Sequence, residues 1–152
     1  MNNKTFHWPA VLVAALAGMF IGFLWYGLFF NAQWSEAVGF TGPGLTEMGE
    51  DVFRYGEPVV LDPVTPMIVN VIGMIAFALI FSWLVAKTGM TTWINGATIG
   101  LIVGLVPVIA QFLSNMFAMT PSSLSLIDGS YYLVLFTVIG AVVGGWRKRA
   151  TA

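Results

Sequence analysis

The stretch GATIGLIVGLVPVIAQFLSN, residues 96–115, decides the fold. It lies within a run of 25 residues, from Trp93 to Phe117, that contains no charge. A helix needs about 20 apolar residues to cross about 30 Å of hydrocarbon. Yet this stretch carries glycines at 96, 100 and 104, a proline at 107, and amides at Gln111 and Asn115. Each of these weakens an isolated helix or costs free energy in lipid. A neighbour must supply what they lack: a backbone packed on the glycines, and hydrogen-bond partners for the amides. The stretch therefore predicts a membrane span within a helix bundle.

Three further runs fit the same description. Residues 9–30 are free of charge, residues 66–86 have Asn70 and Ser82 as their most polar members, and residues 127–146 carry only Asp128 near their start. The predicted fold is an all-α integral membrane protein, a single membrane domain over 1–152 with four transmembrane helices at about 9–30, 66–86, 93–117 and 127–146. Composition agrees: 58% of the chain is hydrophobic and 9% charged, against about 25% charged in a typical soluble domain. The first run is too long for a signal-peptide core of roughly 7–15 residues and is read as a retained span.

The charges orient the bundle. Four spans put both termini on one side, with Lys4, Lys87, Arg147, Lys148 and Arg149; Arg54 alone is opposite. Basic residues favour the cytoplasm, so both termini are expected there. Six of the seven acids (Glu36, Glu47, Glu50, Asp51, Glu57 and Asp62) then fall in the outer loop 31–65. In that loop residues 33–38 and 46–55 are expected as short helices, with Trp34 and Val38 facing lipid, and 57–66 as extended chain. Trp8, Trp25, Tyr26, Trp34, Trp83, Trp93, Tyr131, Tyr132 and Trp146 lie near predicted span ends, where aromatic side chains form interfacial belts.

Small residues mark the packing faces: Gly96, Gly100 and Gly104, Gly18 and Gly22, and Gly140 and Gly144, with a weaker version at Gly73 and Ala76. Four-residue spacing lets helix backbones approach closely, within one bundle or between copies in a homo-oligomer. Pro107 removes a helical hydrogen bond and crowds the carbonyl of Val103, which predicts a kink. Tyr26, Asn31, Asn70, Gln111, Asn115, Asp128 and Tyr131 fall at a similar depth in the outer half of the four spans, and predict a polar cluster. Each has a plainer role available. Asp128 suits a helix N-cap, the amides suit interhelical hydrogen bonds, and the tyrosines suit interfacial anchors.

Two segments carry a resemblance. AALAGMFIGFLWYGLFF followed by Trp34, and the later IDGSYYLVLFTVIGAVVGGWR, resemble the small bacterial membrane proteins grouped as domain-of-unknown-function family 1761. The recognisable residues are Trp25, Tyr26, Gly27, Phe29 and Trp34, then Asp128, Gly129, Tyr131 or Tyr132, and the Gly144–Trp146 end. The resemblance implies a bacterial cytoplasmic (inner) membrane and a compact four-helix fold. It implies no activity and supplies no catalytic residues.

Several function classes are excluded or disfavoured. There is no cysteine and one histidine, His7, so thiolate metal sites, a cysteine nucleophile and paired-imidazole sites are absent. The net charge of −1 offers no field for nucleic acid. No nucleophile–base set, metal cluster or phosphate loop occurs, so neither an enzyme nor a cofactor or metal protein is expected. Besides the lipid bilayer, the expected partners are a second copy or a larger membrane complex. The leading expectation is a structural or accessory subunit that packs through small-residue faces; the alternative is a homo-oligomeric protein that binds or transports a small molecule, lipid or ion at an outward-facing polar site.

Overall fold

A computed structural model describes residues 7–45, 47 and 50–146. Lys4, Arg147, Lys148 and Arg149, on which most of the charge asymmetry rests, lie outside the described residues. So do Thr46, Met48 and Gly49. Helix α1 (Trp8–Gly22) continues into a π-helical segment, Phe23–Phe29, and a short helix α2 (Asn31–Ala37) follows. Three short strands come next: β1 (Phe40–Thr41), β2 (Val52–Arg54) and β3 (Glu57–Val59). Three long helices complete the chain: α3 (Val64–Thr88), α4 (Trp93–Phe117) and α5 (Ser122–Gly145). Four helical stretches, Trp8–Phe29, α3, α4 and α5, are long and apolar enough to span a membrane. The protein is a multi-pass membrane protein.

The helix ends follow local chemistry. Pro9 occupies the first turn of α1, where its missing N–H is harmless. Lys87 lies in the last turn of α3, and Gly89 closes that helix in the left-handed conformation at φ 68°. Thr92 caps α4, its hydroxyl accepting from the Asn95 N–H at 3.2 Å. Asp62 caps α3 from just outside, accepting from the N–H groups of Val64 at 2.9 Å and Thr65 at 3.3 Å.

Helix α5 is the centre of the bundle and packs against α1, α3 and α4. Its Leu135, Ile139 and Val143 are almost fully buried with Val11 and Ala14 of α1 and Ala78, Phe81 and Val85 of α3. Helix α4 packs chiefly on α5 and barely meets α3. Burial of apolar surface drives little helix association in lipid, so the α4–α5 seam depends on close packing. A β-carbon on Gly96 would run into the carbonyl oxygen of Gly140, and one on Gly100 into the carbonyl oxygen of Phe136. Gly104 faces Leu133, and Gly144 faces Thr92 and Gly96. Gly18 is covered by Met74 and Leu135, and Gly22 by Tyr131. These glycine faces are thus occupied within the chain, whereas Gly73 has open space around it. The other side of α4 leaves Leu101, Ile102, Leu105, Val106, Ile109 and Leu113 exposed, as a lipid-facing surface requires. Pro107 sits inside α4, which continues as one helix through it.

The 46–55 segment departs from the expected helix. Val52–Arg54 pairs antiparallel with Glu57–Val59 and with Phe40–Thr41 in a three-stranded sheet, in the order β1-β2-β3. Tyr55 (φ 52°) and Gly56 (φ 86°) make the two-residue turn between β2 and β3, with positive φ at both positions as the favoured hairpin turn requires. The guanidinium of Arg54 stacks over Phe40 and Tyr55. Residues 57–59 are extended, but α3 begins at Val64, two residues before the expected start.

Two expectations follow. Gly100→Val should lower stability in micelles by at least about 1–3 kcal/mol, because backbone atoms cannot yield to the added carbons. Gly73→Ala should stay within about 1 kcal/mol of the parent. Reversible unfolding in mixed micelles measures both. Hydrogen bonds from the Thr65 side chain, then from the Thr65 and Val64 N–H groups, lower the Asp62 pKa. Its contribution is therefore complete above the ordinary carboxylate pKa and is lost as pH falls through the lowered one. Asp62→Ala should lower the protection factors at Val64 and Thr65, that is, exchange relative to the intrinsic rate at the same pH, and acidification of the parent through the lowered pKa should do the same.

Candidate functional site

The π-helical segment builds the site. Its backbone bonds reach five residues back, as Phe30 N–H does to the Trp25 carbonyl at 2.9 Å. The wider turn brings both Trp25 and Tyr26 against α5. The Trp25 indole N–H donates to the Ile127 carbonyl at 3.2 Å and the Ser130 hydroxyl at 3.3 Å. The Tyr26 hydroxyl donates to one oxygen of the Asp128 carboxylate at 2.9 Å. The side-chain amide of Gln111, from α4, donates to the other oxygen at 3.3 Å. A third donor, the indole of Trp34 on α2, stands by the same carboxylate. Three elements besides α5 thus converge on one acid.

Depth explains why they must. Asn70, Gln111 and Asp128 each stand six residues in from the end of their helix on this side of the bundle. That is about 9 Å along the axis. A helix of 25 residues is about 38 Å long, so one centred in about 30 Å of hydrocarbon puts these groups about 5 Å inside its boundary. Polar groups there need partners.

The cluster closes one end of a cleft of about 880 Å³ between α1, α3, α4 and α5. Most of its lining comes from α1 with the π-helical segment, α3 and α5, and Gln111 is what α4 contributes. Met67, Met74 and Phe77 of α3 form one wall, and Met19 and Phe23 face them. Tyr26, Trp34, Tyr131 and Tyr132 surround the polar end: Tyr131 lies 5.0 Å from Tyr26 and 5.3 Å from Tyr132 between ring centroids, and Trp34 lies 5.4 Å from Tyr26. Asn70 also lines the cleft. Among the described residues its amide, and the hydroxyls of Tyr131 and Tyr132, form no side-chain hydrogen bond.

The structure joins Tyr26, Asn70, Gln111, Asp128 and Tyr131 around one cleft and leaves two expected members outside. Asn31 donates to the Tyr26 carbonyl at 2.9 Å from an exposed position. Asn115 donates to the buried Ser125 hydroxyl at 3.0 Å, closing the α4–α5 seam nearer its end. Asp128 is not a helix cap: α5 starts at Ser122, so Asp128 sits well inside it and its carboxylate turns to other helices. Tyr26, Tyr131 and Tyr132 line the cleft rather than anchoring the interface, and Trp34 turns towards them instead of towards lipid. Trp8, Trp83, Trp93 and Trp146 remain exposed, as belt residues would be. Trp25 and Ser130 were missed as interhelical contacts, since only the π-helical turn brings them together. No group of three or more His, Cys, Asp or Glu able to hold a metal occurs among the described residues.

The family model described as "Protein of unknown function (DUF1761)" matches residues 9–144. The chain belongs to this family. The DUF1761 match covers the four spans except for Trp8 and Gly145 at their ends, together with every cleft residue named above, and its description assigns no activity. No curated protein and no solved structure matches the chain.

The Tyr26–Asp128 bond is open to a double-mutant cycle. Tyr26→Phe and Asp128→Asn should show a coupling of about 0.6 kcal/mol, the usual size for interhelical hydrogen bonds in membranes, in reversible unfolding.

Proposed function

We propose that this protein binds a small lipophilic molecule in the cleft between its four spans. The observation that carries this reading is a cleft of about 880 Å³ with one polar end and apolar walls. Its volume lies in the range of small-molecule sites, as does the pattern of apolar lining with a few convergent polar groups. A role limited to packing would favour a closed cluster whose members satisfy one another. Here Asn70, Tyr131 and Tyr132 offer hydrogen-bonding groups to an occupant. An accessory subunit remains the competing reading, and its partner helix would have to fill the same space.

The cleft is proposed to open at the outer side of a bacterial cytoplasmic membrane, with both termini cytoplasmic. Lys87, at the end of α3 far from the cleft, and the acids near the cleft end support that orientation. The chain has no cysteine, so single-cysteine labelling is clean. In intact cells a membrane-impermeant maleimide should modify Glu57→Cys and leave Thr88→Cys untouched. The reverse pattern would invert the orientation.

Native mass spectrometry of protein released gently from its own membrane tests the binding reading. The expected result is a reproducible small bound mass that disappears in Met67→Trp, which fills the cleft from an exposed position. An empty parent protein, or one carrying another polypeptide, would favour the accessory reading.

A further inference from the structure

Asp128 is the only acidic or basic residue among those lining the cleft. Its carboxylate oxygens meet neutral donors, the Tyr26 hydroxyl and the Gln111 amide. Such donors stabilise an anion but do not cancel its charge. A carboxylate within the hydrocarbon depth normally pairs with an opposite charge. A metal ion fits poorly, because a hard cation takes 6–8 oxygen ligands and the site has one carboxylate without a second acid beside it. An anionic ligand would be repelled.

The aromatic groups narrow the choice further. Tyr26, Trp34, Tyr131 and Tyr132 form a chain of rings 5.0–5.4 Å apart beside the acid. Ring faces attract cations within about 6 Å, more strongly where water is excluded, and clusters of rings suit quaternary ammonium groups. The remaining wall contains Met67 and Met74, whose flexible thioethers adapt to differently shaped apolar bodies. From the lone carboxylate, the rings around it and the apolar wall, we infer that the occupant is a free lipophilic organic cation. Its ammonium group lies between Asp128 and the rings, and its apolar body lies against Met67, Met74 and Phe77. This inference rests on the proposed binding function and specifies its ligand class.

The test compares benzyltrimethylammonium with neopentylbenzene, its uncharged carbon isostere, on the full chain in a neutral maltoside micelle. The cation should bind at least about tenfold tighter than the isostere, as expected for cation–ring attraction with a carboxylate in a partly dry site. Asp128→Asn should erase that difference, and Asp128→Glu should restore part of it. Thermal unfolding of each variant shows whether it is folded, and the parent comparison needs no variant. Equal binding of cation and isostere by the parent would overturn the cation inference while leaving the lipophilic site intact. Undiminished cation binding by folded Asp128→Asn would also overturn it. No binding of either probe would remove the binding function as well. Phosphatidylethanolamine and phosphatidylglycerol are then added to the micelle in separate arms. Displacement of the cation by the first lipid alone would assign the site to a lipid amine and overturn a free cation; indifference to both supports it.

Discussion

The contact of two backbones along the α4–α5 seam governs the rest of the structure. Gly96 and Gly100 on one helix and Gly140 and Gly144 on the other leave no room for a β-carbon. The attraction is dispersion between closely packed atoms, since lipid tails solvate leucine as well as a protein interior does. By holding α4 on α5, the seam carries Gln111 to Asp128. It also holds α4 away from α3. Gln111 is α4's contribution to the cleft lining, so the seam sets where the polar end of the cleft meets α4.

A second constraint acts at the cleft's polar end. A carboxylate within hydrocarbon cannot be left to itself. Tyr26 and Gln111 answer it from two other elements, and Trp34 from a third. The π-helical turn at Phe23–Phe29 is central to that arrangement, because it turns Trp25 and Tyr26 together onto α5. Such turns interrupt the regular helical ladder and occur frequently at functional sites. Here the turn joins a structural contact, Trp25 to Ile127 and Ser130, with the contact that defines the cleft.

The segment between the first two spans is ordered by different forces. Its sheet is too small to stand alone, since isolated hairpins are marginal in water. Arg54 stacks on Phe40 and Tyr55, while Trp34 lies over Phe40 and beside Tyr26. These ring contacts tie the hairpin to α2 and α2 to the site. The hairpin therefore stands at the cleft's polar end, where Pro63 and Pro66 also border it as the chain enters α3.

The sequence by itself determined the four spans, because long uncharged apolar runs have few alternatives to crossing a bilayer. It also marked the faces on which Gly18, Gly96, Gly100, Gly140 and Gly144 pack, since four-residue spacing fixes one helix face before any partner is known, whereas Gly73, on the weaker face, has open space around it. The family resemblance was legible in the same residues, and the match over 9–144 bears it out. The common depth of Asn70, Gln111 and Asp128 could be read by counting along each helix. Tertiary structure alone decided which polar groups meet. Asn115 and Gln111 share a helix face, yet one closes the seam through Ser125 and the other reaches Asp128. The start of α5 at Ser122 decided that Asp128 is an interhelical acceptor and not a cap. The π-helical turn and the Tyr55–Gly56 hairpin were missed because both depend on a few backbone angles, which apolar periodicity does not record. Whether small-residue faces serve the bundle or a second copy likewise depends on which helices are neighbours. That is a property of the packed chain and of no segment taken alone.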